Sequence, residues 1–240
     1  MNAALSQTLR TRIKLCGFTR EQDVDAAVAA GVDAIGFVLY TASQRAVSPA
    51  RAAELAKRLP PFVTPVLLFV NHSAEEVAEA FAQVPQAIAQ FHGDESPVEC
   101  INLSQQAARP FLRAARIPLG PDAAGFDLVN YAHLYSQAQA ILLDAHVDGF
   151  GGGGKAFNWS LLPPSVNAHL VLSGGLTAAN VGDGIAQLRP RCKSLSVDVS
   201  SGIEADAPGG GTLKGIKDPE KINQFVAAVR AADGRFARNT

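Results

Sequence analysis

Two ionisable side chains that close apolar, strand-like runs carry the first chemical suggestion. Cys16 ends "RIKLC", residues 12 to 16, and Asp144 ends "AILLD", residues 140 to 144. A carboxyl flanked by apolar residues has its pKa raised toward neutrality and becomes a proton donor; the plainer alternative is a loop anchor bonded to nearby backbone. A thiol acts as base or nucleophile once ionised, from an ordinary pKa of about 8.5. Its plainer alternative is a small buried hydrophobe. Lys14 stands two residues before Cys16, so in a strand both project to one side, away from Ile13 and Leu15. Asp198 lies in a later run, "SLSVDV", in phase with Ser196 and Ser200 and opposite Leu195, Val197 and Val199. If the first and last strands are neighbours, Lys14 and Asp198 form a buried pair beneath the thiol. That pair either supports a thiolate or only neutralises interior charge.

Three glycine-rich stretches add a second kind of chemistry. Gly174-Gly175 and Ser200-Ser201-Gly202 each follow a strand-like run, where close backbone approach, hydroxyl donors and helix N-terminal N–H groups suit a phosphate. Ordinary tight turns are the alternative. "GFGGGGK", residues 149 to 155, reads as a lid or as a loop whose Gly151, Gly152 and Gly153 wrap a ligand, or else as a surface tether. It is not a phosphate-binding GxxxxGK[ST] loop, because Ala156 follows the lysine.

The elements that must position these groups are legible as alternation. Apolar runs at 12–16, 33–39, 63–70, 86–91, 111–117, 138–144, 170–173 and 194–199 are each followed by a segment of helical period. Eight such units without a linker predict one (β/α)8 TIM barrel around a parallel eight-stranded sheet, spanning 12–232, with a loose N-terminal extension at 1–11 and a tail at 233–240. An open doubly wound sheet is the alternative, but "CGFTREQD" lacks the GxGxxG turn of a dinucleotide fold. In the barrel, chemistry sits at the C-terminal strand ends, which gathers Cys16, Arg45, His92, Asp144 and both phosphate turns at one mouth. Thr19 with Gln22 predicts a capping box for the first helix, Gly31 its stop, and Ser48-Pro49 the start of the second.

Composition narrows the partners. The 240 residues are 48% hydrophobic and 18% charged with a net charge of −1, which leaves no basic footprint for nucleic acid or an anionic membrane. Three isolated cysteines write neither a disulfide framework nor a zinc site, so no metal is expected. Without a leader-like N-terminus or an apolar run of membrane length, the expected location is the cytoplasm and the expected partner a small molecule. A monomer is favoured, with a homodimer as the alternative.

Taken in order, "KLCGFT", "GVDAIGFVLYTASQRAVSP", "LFVN", "QFHGDE", "ILLDA", "GGGGKAFNWSLL", "LSGGLTAANV" and "VDVSSGIE" resemble the phosphoribosylanthranilate isomerases of tryptophan biosynthesis, from Arg12 to about Ala232. The resemblance implies a cofactor-free Amadori rearrangement of a phosphosugar, with Cys16 as general base and Asp144 as general acid. It further implies that Arg45 meets the anthranilate carboxylate, that His92 lines the pocket, and that Gly174, Gly175, Ser200, Ser201 and Gly202 hold the 5′-phosphate. Phe18, Gly153 and Asn158 depart from the residues usual in that family, and the segment 205–218 is longer and richer in glycine. The competing readings are another phosphate-binding barrel isomerase, a Schiff-base aldolase using Lys14 or Lys155, and a non-catalytic phosphometabolite-binding protein.

Overall fold

In the computed structural model, residues 10–119, 125–145 and 158–237 are described. Eight parallel strands close a barrel in chain order: β1 (Arg12–Cys16), β2 (Ala34–Val38), β3 (Thr64–Phe69), β4 (Ile88–Phe91), β5 (Phe111–Ile117), β6 (Ala140–Ala145), β7 (His169–Leu172) and β8 (Ser194–Val199), with β8 pairing back onto β1. Period-two side chains divide each strand. Ile13, Leu15, Ala89, Phe91, Phe111 and Ala115 join the shell packed under the helices, whereas Cys16, Val38, Leu68 and Val70 form one apolar cluster inside the barrel and Ala114, Leu142 and Val171 another. Burying the outer set against helices supplies most of the stabilisation, at about 25 cal/mol per Å² of apolar surface.

The helices described are α1 (Glu21–Ala29), α2 (Pro49–Ala56), α3 (Ala74–Gln83), α4 (Pro97–Ala107), α5 (Leu128–Leu134), α6 (Val181–Leu188) and α7 (Pro219–Ala237). Local chemistry sets their starts. Ser48 accepts from the Arg51 N–H ahead of Pro49, and Ser73 and Ser96 build reciprocal capping boxes with Glu76 and Glu99. The expected Thr19–Gln22 box does not form: α1 is capped by Arg20 without a side-chain bond, because the Thr19 hydroxyl donates instead to the Gly215 carbonyl at 2.7 Å.

Other expectations are corrected in the same way. The described stretch between β6 and β7 holds a 3-10 turn, Trp159–Leu161, rather than a helix. Pro163 and Pro164 follow it and deny the N–H groups a helix needs. After β8 the chain makes a hairpin, β9 (Glu204–Asp206) with β10 (Thr212–Lys217), before α7 begins. Asp144 is the penultimate residue of β6, which runs on to Ala145. Thr11 and Asp233, assigned above to loose ends, are bonded to each other: the Thr11 N–H and hydroxyl donate to Asp233 at 2.7 and 2.6 Å, and α7 continues to Ala237.

Candidate active site

β1 and β2 set the thiol. Cys16 is paired in register with Gly36, and a Cβ at Gly36 would stand 2.6 Å from Sγ and 3.1 Å from Lys14 Nζ, so only glycine leaves room for both groups. Closure of β8 onto β1 sets Lys14 opposite Asp198, and Nζ donates to Oδ1 at 2.9 Å with both residues buried. Burial opposes the Lys14 ammonium, but Asp198 and Cys16 outweigh it and hold the pKa above its ordinary value. For Cys16 burial wins: the pKa is raised although Lys14 and, more weakly, Lys217 pull it down. The resting group is a thiol beside a cation.

β4 and β6 set the carboxyl. Asp144 is buried, its Oδ2 3.1 Å from His92 Nε2, while Oδ1 accepts from the Ala145 N–H at 3.0 Å. His92 follows β4, where its N–H bonds the Phe69 carbonyl at 2.9 Å, and Gln90 two residues earlier lies 2.9 Å from its Nδ1. Gly174, at φ +77, brings the β7 turn against this corner: a Cβ there would stand 2.7 Å from Ala145 N and 3.0 Å from Asp144 Oδ1.

The hairpin supplies what the sequence reading missed. Arg45, in the loop after β2, donates from Nε and Nη2 to both oxygens of Glu204 at 2.6 and 2.9 Å. Glu204 is wholly buried and also accepts from the Gly215 N–H at 2.9 Å and from the Thr212 hydroxyl at 3.0 Å. Burial would raise its pKa, but Arg45, Lys217 and Gly215 hold it down at about 2. Lys217, paired in register with Glu204, lies 3.3 Å from Oε1 and donates to the Ser200 carbonyl at 2.9 Å and its hydroxyl at 3.4 Å. Burial pushes Lys217 down to about 8 despite that partner. Two cations facing one carboxylate leave net positive charge beneath the Ser200 turn. The signal for Glu204 and Lys217 was a pair of charges flanking Pro208 and Gly209 to Gly211, which a hairpin sets opposite one another.

The two glycine turns are in contact. A Cβ on Gly202 would come 1.9 Å from the Leu176 carbonyl oxygen, and Asn180 ties the β7 turn by donating to Gly175 O at 3.0 Å and accepting from Thr177 N at 2.8 Å. Cys16, His92, Asp144, Gly174, Gly175 and Ser200 to Gly202 stand at or just beyond the C-terminal ends of their strands, and Arg45 in the loop that follows β2. Gly151, Gly152 and Gly153 lie outside the described residues, as does Lys155. Among the described residues no three His, Cys, Asp or Glu side chains gather as metal ligands would, and no helix is long and apolar enough to cross a membrane.

The chain is similar to known proteins in sequence and in fold. The family model for N-(5'phosphoribosyl)anthranilate (PRA) isomerase matches residues 13–228. The N-(5'-phosphoribosyl)anthranilate isomerase of Methylibium petroleiphilum is 57% identical over 229 residues, covering 95% of this chain and 98% of its own. That of Dechloromonas aromatica is 55% identical over 225 residues, covering 94% and 99%. Among solved structures, the Thermotoga maritima phosphoribosyl anthranilate isomerase superposes with a TM-score of 0.73 at 34% identity, over 92% of this chain and 99% of that one. A phosphoribosyl anthranilate isomerase in complex with reduced 1-(o-carboxyphenylamino)-1-deoxyribulose 5-phosphate superposes with a TM-score of 0.70 at 30% identity, over 92% and 99%.

Proposed function

The chain belongs to the N-(5'-phosphoribosyl)anthranilate isomerase family, and from that premise we propose how its own residues carry out the isomerisation. Asp144 in its protonated form donates to the ribose ring oxygen as the bond from that oxygen to C1′ breaks, which leaves an iminium between C1′ and the anthranilate nitrogen. Cys16 as thiolate then takes the proton from C2′, and the electron pair moves toward the iminium to give an enolamine. Return of a proton to C1′ and loss of one from the C2′ hydroxyl give the 1-deoxyribulose product, so the proton count closes. The iminium is the electron sink that makes C2′–H acidic.

Around that centre the roles follow charge. The Nη1 side of Arg45, not spent on Glu204, meets the anthranilate carboxylate by the bidentate geometry suited to such groups. Gly174, Gly175 and Ser200 to Gly202, with the positive charge of Lys217 behind them, receive the 5′-phosphate. His92 orients Asp144.

The observation that carries this reading is the pairing of a thiol with a carboxyl at one barrel mouth, each buried and each held by a specific partner, Lys14 and His92. A general acid or base step is worth about 10²–10⁴ in rate. Turnover is followed as the loss of anthranilate-type fluorescence with phosphoribosylanthranilate generated in the cuvette. Cys16→Ala and Asp144→Asn are each expected to lower kcat at least about 100-fold while remaining folded. Either variant keeping a tenth of wild-type turnover would remove that residue from its role.

A further inference from the structure

A single guanidinium brackets His92 from behind the sheet. Arg113 shares its face of β5 with Phe111 and Ala115, which belong to the apolar shell under the helices, and is buried like them. Its Nη1 donates to the Phe91 carbonyl and its Nη2 to the Gly93 carbonyl, both at 3.0 Å, and these are the residues immediately before and after His92. Its Nε is buried with no hydrogen-bond partner. The fork is thus aimed at the His92 backbone at the expense of one of its own donors.

Glu95 completes the arrangement. Its Oε2 accepts from Arg113 Nη1 at 2.8 Å and from the Gly93 N–H at 2.9 Å, while Oε1 accepts from the Asn71 N–H at 2.8 Å. Asn71 Oδ1 in turn accepts from the Asp94 N–H at 2.7 Å, and a Cβ on Gly93 would stand 2.3 Å from that oxygen. The turn after β4 is therefore tied to β5 by Arg113 and to the turn after β3 by Glu95. Tyr135 closes the outer side: its hydroxyl donates to the Glu95 carbonyl at 2.8 Å, and its ring centre lies 4.9 Å from the guanidinium. A buried ion pair seldom stabilises a fold more than apolar side chains of the same volume would, so stability alone does not account for charges in this shell. What the pair supplies is geometry, because the planar fork fixes the spacing of the two carbonyls it spans. His92 Nε2 stands 3.1 Å from Asp144 Oδ2, and the imidazole holds that position only as accurately as its backbone is held.

We propose that Arg113 and Glu95 are positioning residues for the isomerisation, a buried clamp that fixes the backbone of His92 and, through its imidazole, the Asp144 carboxyl. The inference rests on Asp144 being the general acid and on His92 orienting it. Because Arg113 projects to the helix side of the sheet, its influence reaches the substrate only through these bonds.

The test is a double-mutant cycle in kcat and KM, with phosphoribosylanthranilate generated in the cuvette and Arg113→Lys, His92→Ala and their combination as the variants. Lysine keeps a charge opposite Glu95 but puts one nitrogen where the fork puts two. Arg113→Lys is expected to lower kcat about tenfold or more with KM within about twofold, since a small misplacement of a catalytic group is costly in rate. In the His92→Ala background the same substitution is expected to change kcat by less than about twofold. Wild-type kcat in Arg113→Lys overturns the proposal, and so does an equal fold-loss in both backgrounds, which is what a merely structural role produces. Where Arg113→Lys fails to fold, Glu95→Gln enters the same cycle. Amide hydrogen exchange on the wild-type enzyme needs no variant: the Gly93 and Asn71 N–H groups should exchange at least about 100-fold more slowly than in an unstructured chain, and exchange at the rate of exposed loops overturns the clamp. Wild-type kcat in His92→Ala or Asp144→Asn sinks the reading on which the clamp rests and the clamp with it. Lost turnover in both, with an Arg113→Lys effect that ignores His92, sinks only the clamp.

Discussion

Replacing Glu204 by Gln keeps the size and one acceptor oxygen of the side chain, removes its charge and turns the other oxygen into an NH₂ donor facing donors. The charge answers to Arg45 at 2.6 and 2.9 Å and to Lys217 at 3.3 Å, with no solvent to take its place. Holding the carboxyl at about 2 rather than at its ordinary 4.5 corresponds to about 3 kcal/mol, at 1.36 kcal/mol per pH unit. Removing one partner of a buried pair generally costs about 3–5 kcal/mol, so the two routes to the magnitude agree. In a chain of this length each kcal/mol moves the melting temperature by about 2–4 °C, and Glu204→Gln is expected to melt on the order of 10 °C lower at pH 7. The pH dependence carries a definite sign. Because the folded pKa lies below the unfolded one, the stabilisation is complete above pH 4.5 and is lost as pH falls toward about 2. Melting curves of wild type and variant from pH 7 to pH 3 should therefore run parallel down to about pH 5 and converge below pH 4.5. A gap at pH 7 below about 1 kcal/mol, or one that persists undiminished at pH 3, refutes the claim that the charge of Glu204 holds this cluster together.

Two further outcomes follow from the β1 side of the mouth. Lys14→Met strands the buried Asp198 and removes the charge that pulls Cys16 down, so the variant should lose about 3–5 kcal/mol, part of it regained by Asp198→Leu. Its iodoacetamide alkylation midpoint should also move to higher pH, and an unmoved midpoint excludes any assistance from Lys14. Gly36→Ala sets a Cβ 2.6 Å from Sγ and should lower kcat about tenfold or more while the overall fold persists; wild-type kcat in a folded Gly36→Ala enzyme removes the claim that Cys16 needs its observed position.

What was legible in the sequence depended on period and closure. Lys14 and Cys16 declare their side through Ile13 and Leu15, and a closed barrel brings the last strand beside the first, so Asp198 is found by parity alone. Ser48 and Gly31 were readable because caps are decided within one turn of helix. Thr19 was not, because its hydroxyl is spent on Gly215, 196 positions away. Glu204 and Lys217 escaped for a similar reason: no strand period links them, and only the hairpin through Gly209 to Gly211 pairs them and captures Arg45. Arg45 could be read as a cation at the mouth, but not as one already bound on one edge. The described stretch before β7 was read as helical from its place in the alternation, which overrode the local warning of Pro163 and Pro164.

The resting state of Cys16 bears on the order of the two proton transfers. Burial outweighs Lys14 and leaves the sulfur protonated, although two lysines favour the thiolate. On the mechanism proposed above, the missing positive charge is the iminium, which exists only after Asp144 has opened the ring. A further cation close to the sulfur in a water-poor site favours the charged form far more than it would in solvent. On that mechanism the acid step creates the field that generates the base, with the thiol's own proton released to water and regained when the cycle ends. It also keeps the enzyme from carrying a standing thiolate, the form of cysteine most prone to oxidation and alkylation. Asp198 fits the same logic, since by holding Lys14 it tempers the pull of that ammonium on the sulfur and is itself a charge that raises the thiol. The strand pair β1–β8 thus sets the thiol below ionisation at rest and within reach of it once the substrate has become a cation.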